Sequence, residues 1–203
     1  MIYKLTSMKS IDFYYDYGSP TAYLAWTQIR NLDVNLYKVT YFPILLGGVF
    51  KATDNKAPGL VAPKAKWMSD DIKMYANKYK VKFVMNDAFP INTLYLMRGA
   101  IYAQENEIFD KYVEVVFKSM WVDNKKMDDL EVIQSVLLEN GLPVKEIFEG
   151  TQDQKIKDKL VKNTSEAVEK GVFGAPSLLV NNELFFGKET LQDVEELLVK
   201  EAG

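Results

Sequence analysis

Neither cysteine nor histidine occurs in the 203 residues, and these two absences exclude more chemistry than any single residue suggests. Without cysteine there is no disulfide, no thiolate nucleophile of the chain's own and none of the common structural zinc sites. Without imidazole there is no Ser-His-Asp triad and no histidine general base, so proton transfer falls to carboxylate, lysine, tyrosine, substrate or water. Arginine-rich arms are also missing, and a net charge of -3 offers phosphate backbones no general attraction. Nucleic acid is therefore not an expected partner. No segment approaches the roughly 20 apolar residues that cross a bilayer. The opening Met1 to Ser10 lacks the apolar stretch of a secretory leader. The expected setting is the cytoplasm, with no membrane partner.

What is present suffices for a packed core, with 48% hydrophobic and 26% charged residues. Ile11 to Tyr15 reads as a strand, Asp16 to Gly18 as a turn, Ser19 to Arg30 as a helix and Val34 to Phe42 as a second, parallel strand. A stretch bearing Gly47, Gly48, Pro58, Gly59 and Pro63 follows. It leads into helical periods over 64–80, 94–106, 109–122 and 129–140, the last stopped by Gly141 and Pro143. A further helix over 153–170 ends at Gly171. Ser177 to Val180 and Glu183 to Phe186 then make a hairpin around Asn181 and Asn182, and a helix over 190–200 closes the chain. The fold class is α/β, a βαβ start and a ββα finish separated by helices. That is the arrangement of a thioredoxin-like fold with an inserted helical domain, divided here into 1–46 with 165–203 and 47–164.

Two loops bear chemistry. Ser19 and Pro20 stand where a strand ends and a helix begins, a good helix start whose positive dipole end also suits an anion, with Ser19 donating its proton outward. Ala175 and Pro176 precede the third strand, where a proline facing that helix start would let Ala175 make strand-like bonds to an extended peptide. The stretch from Ser19 to Ala22 stands where a Cys-Pro-x-Cys pair would make a disulfide oxidoreductase, and its serine and alanine exclude that activity. Trp67, Tyr95 and Trp121 read as core or inter-domain packing.

Four segments carry a resemblance: DFYYDYGSPTAYLAW (Asp12 to Trp26), LLGGVFKATDNKAPGLVAPKAKW (Leu45 to Trp67), FKSMW (Phe117 to Trp121) and GVFGAPSLLVNNELFFGKETL (Gly171 to Leu191). In this order and spacing the chain resembles the 2-hydroxychromene-2-carboxylate isomerase and kappa-class glutathione transferase family, which sits beside the DsbA-like thioredoxin folds. The resemblance implies that Ser19 hydrogen-bonds the sulfur of glutathione, that Asn55 and Lys64 hold the tripeptide, and that Ala175 with a cis Pro176 engages its cysteinyl backbone. Glu189 stands where relatives usually place an aspartate near the γ-glutamyl amine. Thr190 replaces an arginine common in relatives, and Lys188 adds a charge just before. Glutathione is thus the implied cofactor, a small aromatic molecule the implied substrate and a homodimer the implied assembly. The implied activity is a glutathione-dependent isomerase acting on a 2-hydroxychromene-2-carboxylate-like compound. Two alternatives stand beside it: a kappa-like transferase conjugating an electrophile, and a non-catalytic thioredoxin-fold binding module.

Overall fold

A computed structural model describes residues 8–200; most of the segment read above for a leader, Met1 to Ser7, lies outside them. Strand β1 (Lys9–Tyr15) runs through the middle of a four-stranded sheet ordered β2-β1-β3-β4. β2 (Tyr37–Pro43) lies parallel to it, and β3 (Ser177–Val180) and β4 (Glu183–Phe186) complete the sheet in antiparallel fashion. The β1 sequence alternates its apolar load between faces. Ile11, Phe13 and Tyr15 enter the main core, and Tyr14 enters a smaller cluster with Ile44, Val49, Ala167 and Val172 on the other side. Tyr15 stacks on Phe13 with ring centres 5.4 Å apart, so the strand that carries the site is buried on both faces.

Helix α1 (Pro20–Ile29) makes the crossover between the two parallel strands. β2 begins three residues later than expected because Asp33 caps its own turn, accepting the Asn35 N–H at 2.9 Å. The hairpin turn is as expected: Asn181 and Asn182 both take positive φ, 50° and 67°, which asparagine tolerates and a two-residue loop needs.

Between β2 and β3 lie α2 (Leu46–Thr53), α3 (Ala62–Tyr79), α4 (Leu94–Glu105), α5 (Phe109–Trp121), α6 (Leu130–Glu139), α7 (Val144–Gly150) and α8 (Gln154–Glu169); α9 (Leu191–Lys200) closes the chain. Sequence reading missed α2, whose Gly47 and Gly48 weaken its helical signal, and α7, which is too short to show a period. Helix α8 is continuous across residue 164, where the sequence suggested a domain division, and packs on both α2 and α4.

Trp121 is fully buried, with its indole N–H donating to the Tyr17 carbonyl at 2.8 Å. Trp67 departs from expectation: it is 67% exposed on α3, because it falls on the solvent side of a helix whose buried residues are Ile72 and Ala76.

Close packing gives one test of the core. A methyl at Gly99 of α4 would collide with the Tyr112 hydroxyl, which itself donates to the Leu96 carbonyl. Gly99→Ala is expected to destabilise by about 1–3 kcal/mol, despite alanine's better helix propensity. Urea denaturation measures this, and adding Tyr112→Phe should recover part of the loss by removing the obstructing oxygen.

Candidate functional site

The end of β1 is pinned before α1 begins. Asp16 is buried, and its carboxylate accepts the Gly18 N–H at 2.8 Å, the Thr93 hydroxyl at 2.6 Å and the Leu46 N–H at 2.8 Å. One side chain thus ties the loop to the first residues of both α2 and α4. Desolvation pushes its carboxyl above the usual range, opposed by those three donors. The Ser19 N–H donates to the Asp16 carbonyl at 3.0 Å, which sets the backbone that presents the serine.

Ser19 caps α1, accepting the Ala22 N–H at 3.1 Å, with Pro20 at the first helical position as its sequence suggests. Its proton does not point outward as expected. It goes across the site to the Ala175 carbonyl at 2.8 Å, because that oxygen faces the helix start and Ser19 is its nearest donor. The Thr21 hydroxyl lies 2.9 Å from Ser19 Oγ and 3.4 Å from the same carbonyl. Three groups therefore share two protons around one acceptor.

The Ala175–Pro176 peptide bond is cis. The Gly187 N–H donates to the Pro176 carbonyl at 3.1 Å, which brings the segment before α9, with Lys188 and Glu189, beside the loop. Lys188 is buried and turned inward. It pairs with Asp71 of α3, lies 4.0 Å from the centre of the Tyr75 ring and reaches Glu189 Oε2 at 3.3 Å. The Glu189 carboxylate, 47% exposed, is left facing solvent on one side. Asn55 follows α2, and its amide donates to the Phe173 carbonyl at 2.9 Å, two residues before Ala175. Lys64 sits exposed in the first turn of α3, and no ion pair among the described residues holds it.

The structure thus gathers Ser19, Ala175 and Pro176 by direct contact, joins Asn55 through Phe173 and Glu189 through Gly187, and leaves Lys64 on a neighbouring helix. Sequence reading passed over Thr21 as a hydroxyl partner and Asp16 as the tie. Only their closeness to Ser19 could have signalled them.

A serine-capped helix start facing a cis-proline loop, on a β2-β1-β3-β4 sheet with inserted helices, defines a thioredoxin-like protein without its redox cysteines. The model of the DSBA-like thioredoxin domain matches residues 10–199, and the chain belongs to that family. It is 27% identical over 194 residues to the 2-hydroxychromene-2-carboxylate isomerase of Sphingobium xenophagum, covering 94% of this chain and 98% of that one. It is 26% identical to glutathione S-transferase kappa 1 of Caenorhabditis elegans, covering 96% and 92%. A solved 2-hydroxychromene-2-carboxylate isomerase superposes with a TM-score of 0.85 at 22% identity, over 95% of each chain. DsbA of Pseudomonas aeruginosa shares the fold at a TM-score of 0.59 and 15% identity, over 99% of this chain and 88% of that one. No helix among the described residues is long and apolar enough to cross a membrane.

Proposed function

We propose that the protein is a glutathione-dependent isomerase of an aromatic, 2-hydroxychromene-2-carboxylate-like substrate. The observation that carries this reading is the Ser19 hydroxyl held 2.8 Å from the carbonyl that precedes the cis-proline. The residues present suit the tripeptide along its length. Ala175 offers a backbone carbonyl to an amide N–H, unpaired Lys64 a charge to a carboxylate, and half-exposed Glu189 a charge to an amine. Bound glutathione supplies the thiolate nucleophile that the chain lacks, adding to a conjugated carbon and leaving after rotation about the former double bond.

The chain's own part is to make that thiolate. The Ala175 carbonyl would accept a cysteinyl N–H in place of the Ser19 proton, and the Ser19 hydroxyl would then turn toward the sulfur, whose own proton passes to water. Thr21 donates to Ser19 Oγ as the Ser19 proton leaves, so the switch strands no donor. The positive end of the α1 dipole favours the same negative charge. The exposed Leu60, Val61 and Trp67, and the Phe173–Phe186 pair that Asn55 reaches through the Phe173 carbonyl, are apolar surface of the kind an aromatic substrate requires.

Calorimetric titration with glutathione tests the reading. The native protein is expected to bind, and an Asn55→Ala, Lys64→Ala double variant to bind at least about tenfold more weakly, the loss of one charge-assisted bond. No heat at millimolar ligand would overturn it. Similarity to kappa transferases supports a second reading in which the adduct itself is the product. Product analysis separates the two, since an isomerase returns glutathione and a transferase consumes it.

A further inference from the structure

Arg98 of α4 is a cation without an ion-pair partner among the described residues, although Asp128 lines the smaller of its two clefts. Its Nε is buried without a hydrogen-bond partner, and among the described residues no carboxylate lies within ion-pair distance of its guanidinium. An arginine stays charged at every working pH, and burying part of a charge without an acceptor costs free energy that most proteins avoid. Arg98 lines two adjoining clefts that also share Leu94, one of about 160 Å³ and one of about 450 Å³. The larger lies within the range of small-molecule sites. Its floor is apolar, with Leu45 just before α2, Gly48 within it, and Leu160 and Val168 from α8, and its rim carries a second cation, Lys157, that has no ion pair among the described residues. Asp158, the acid on that rim, already accepts the Gln154 amide at 2.7 Å. The cleft lies one residue from the Asp16 tie on two sides, since Leu45 precedes Leu46 and Leu94 follows Thr93. It calls on neither Ser19 nor the cis-proline.

We propose that this cleft is a second binding site, for an amphipathic organic acid whose carboxylate pairs with Arg98 and whose apolar body lies on the α2 and α8 floor. A carboxylate fits because the guanidinium of Arg98, which lines both clefts, offers it charge-assisted N–H donors. An apolar body fits the leucine and valine floor, and Lys157 favours the same charge at the mouth.

The probe is 1-naphthoate, titrated calorimetrically into the native protein, with neutral 1-naphthamide as its uncharged counterpart. Naphthoate is expected to bind, with naphthamide and the Arg98→Gln variant each weaker by about tenfold or more. Val161→Trp, a change at a lining position 65% exposed and so harmless to the core, is expected to fill the cleft and weaken naphthoate similarly. Ser19→Ala should leave the affinity unchanged. Equal binding of acid and amide, an unaltered Arg98→Gln or Val161→Trp variant, or no binding at millimolar naphthoate would overturn the proposal. The glutathione titration stands or falls separately, because Arg98→Gln and Val161→Trp touch none of the residues it tests.

Discussion

Ser19→Ala is expected to cut thiolate formation on bound glutathione to a small fraction while the protein remains folded. A thiol with an ordinary pKa of about 8.5 is only about 3% ionised at pH 7, so the ultraviolet thiolate band of the native complex depends on what the site donates. Three groups favour the anion in the proposed arrangement: the α1 terminus, the Ser19 hydroxyl and, behind it, the Thr21 hydroxyl 2.9 Å away. Removing the one that touches sulfur should return the thiol close to its free value and lower turnover by about 10²–10³, the range for loss of a single donor to a developing anion. Folding should suffer far less. The lost cap costs about 0.5–2 kcal/mol, and Thr21, already 3.4 Å from the Ala175 carbonyl, can close on the acceptor that Ser19 vacates. A thiolate band of native size in the variant would remove Ser19 from the chemistry. Full loss of circular dichroism would show that its two structural bonds, to Ala22 and Ala175, outweigh that estimate.

Ser19 also shows how far the sequence could be read. Serine before proline at a strand-to-helix boundary announced both the cap and the start of α1, since helix-start chemistry is local. The apolar and aromatic run of β1, the near alternation of β2 and the two asparagines before β4 announced the sheet and its hairpin for the same reason. The direction of the Ser19 proton could not be read, because its acceptor is Ala175, 156 residues away, and is placed only when β3 pairs with β1. Lys188 repeats the lesson. In sequence it is one charge beside Glu189; in the fold it turns inward to Asp71 and Tyr75, contacts that no spacing rule reveals. Trp67 fails in the opposite sense, an aromatic residue that suggested packing yet stands in solvent. The family resemblance selected Asn55 and Glu189, and the fold carries both to the same loops, whereas Lys64 is brought near only by its helix.

The buried tyrosines predict alkaline unfolding, and here the expected loss is largest. Tyr15, Tyr17 and Tyr112 are fully buried around Phe117 and the end of β1, and desolvation holds all three hydroxyls above the ordinary value of 10.0. Tyr41 is pushed up to about 12 by the same cause. Each of these groups binds its proton more tightly in the folded state. Its stabilising contribution is therefore complete below the unfolded value near 10 and is lost as pH rises toward the folded one. Each unit of pH in that window removes about 1.4 kcal/mol per group, so the three fully buried rings remove about 4 kcal/mol per unit. Against a domain stability of about 5–15 kcal/mol that slope is steep. Urea denaturation from pH 8 upward should show stability level to about pH 10 and then falling at that slope, with the last tyrosinate absorbance appearing together with loss of circular dichroism. Tyr17→Phe should reduce the slope by about a third and cost little at neutral pH, because the hydroxyl it removes is buried without a hydrogen-bond partner. Titration of these tyrosines near pH 10 with the fold intact would mean that water reaches the core beneath Ser19. The same opening would expose the thiolate site above it, so the alkaline limit of the fold and that of the proposed catalysis should coincide.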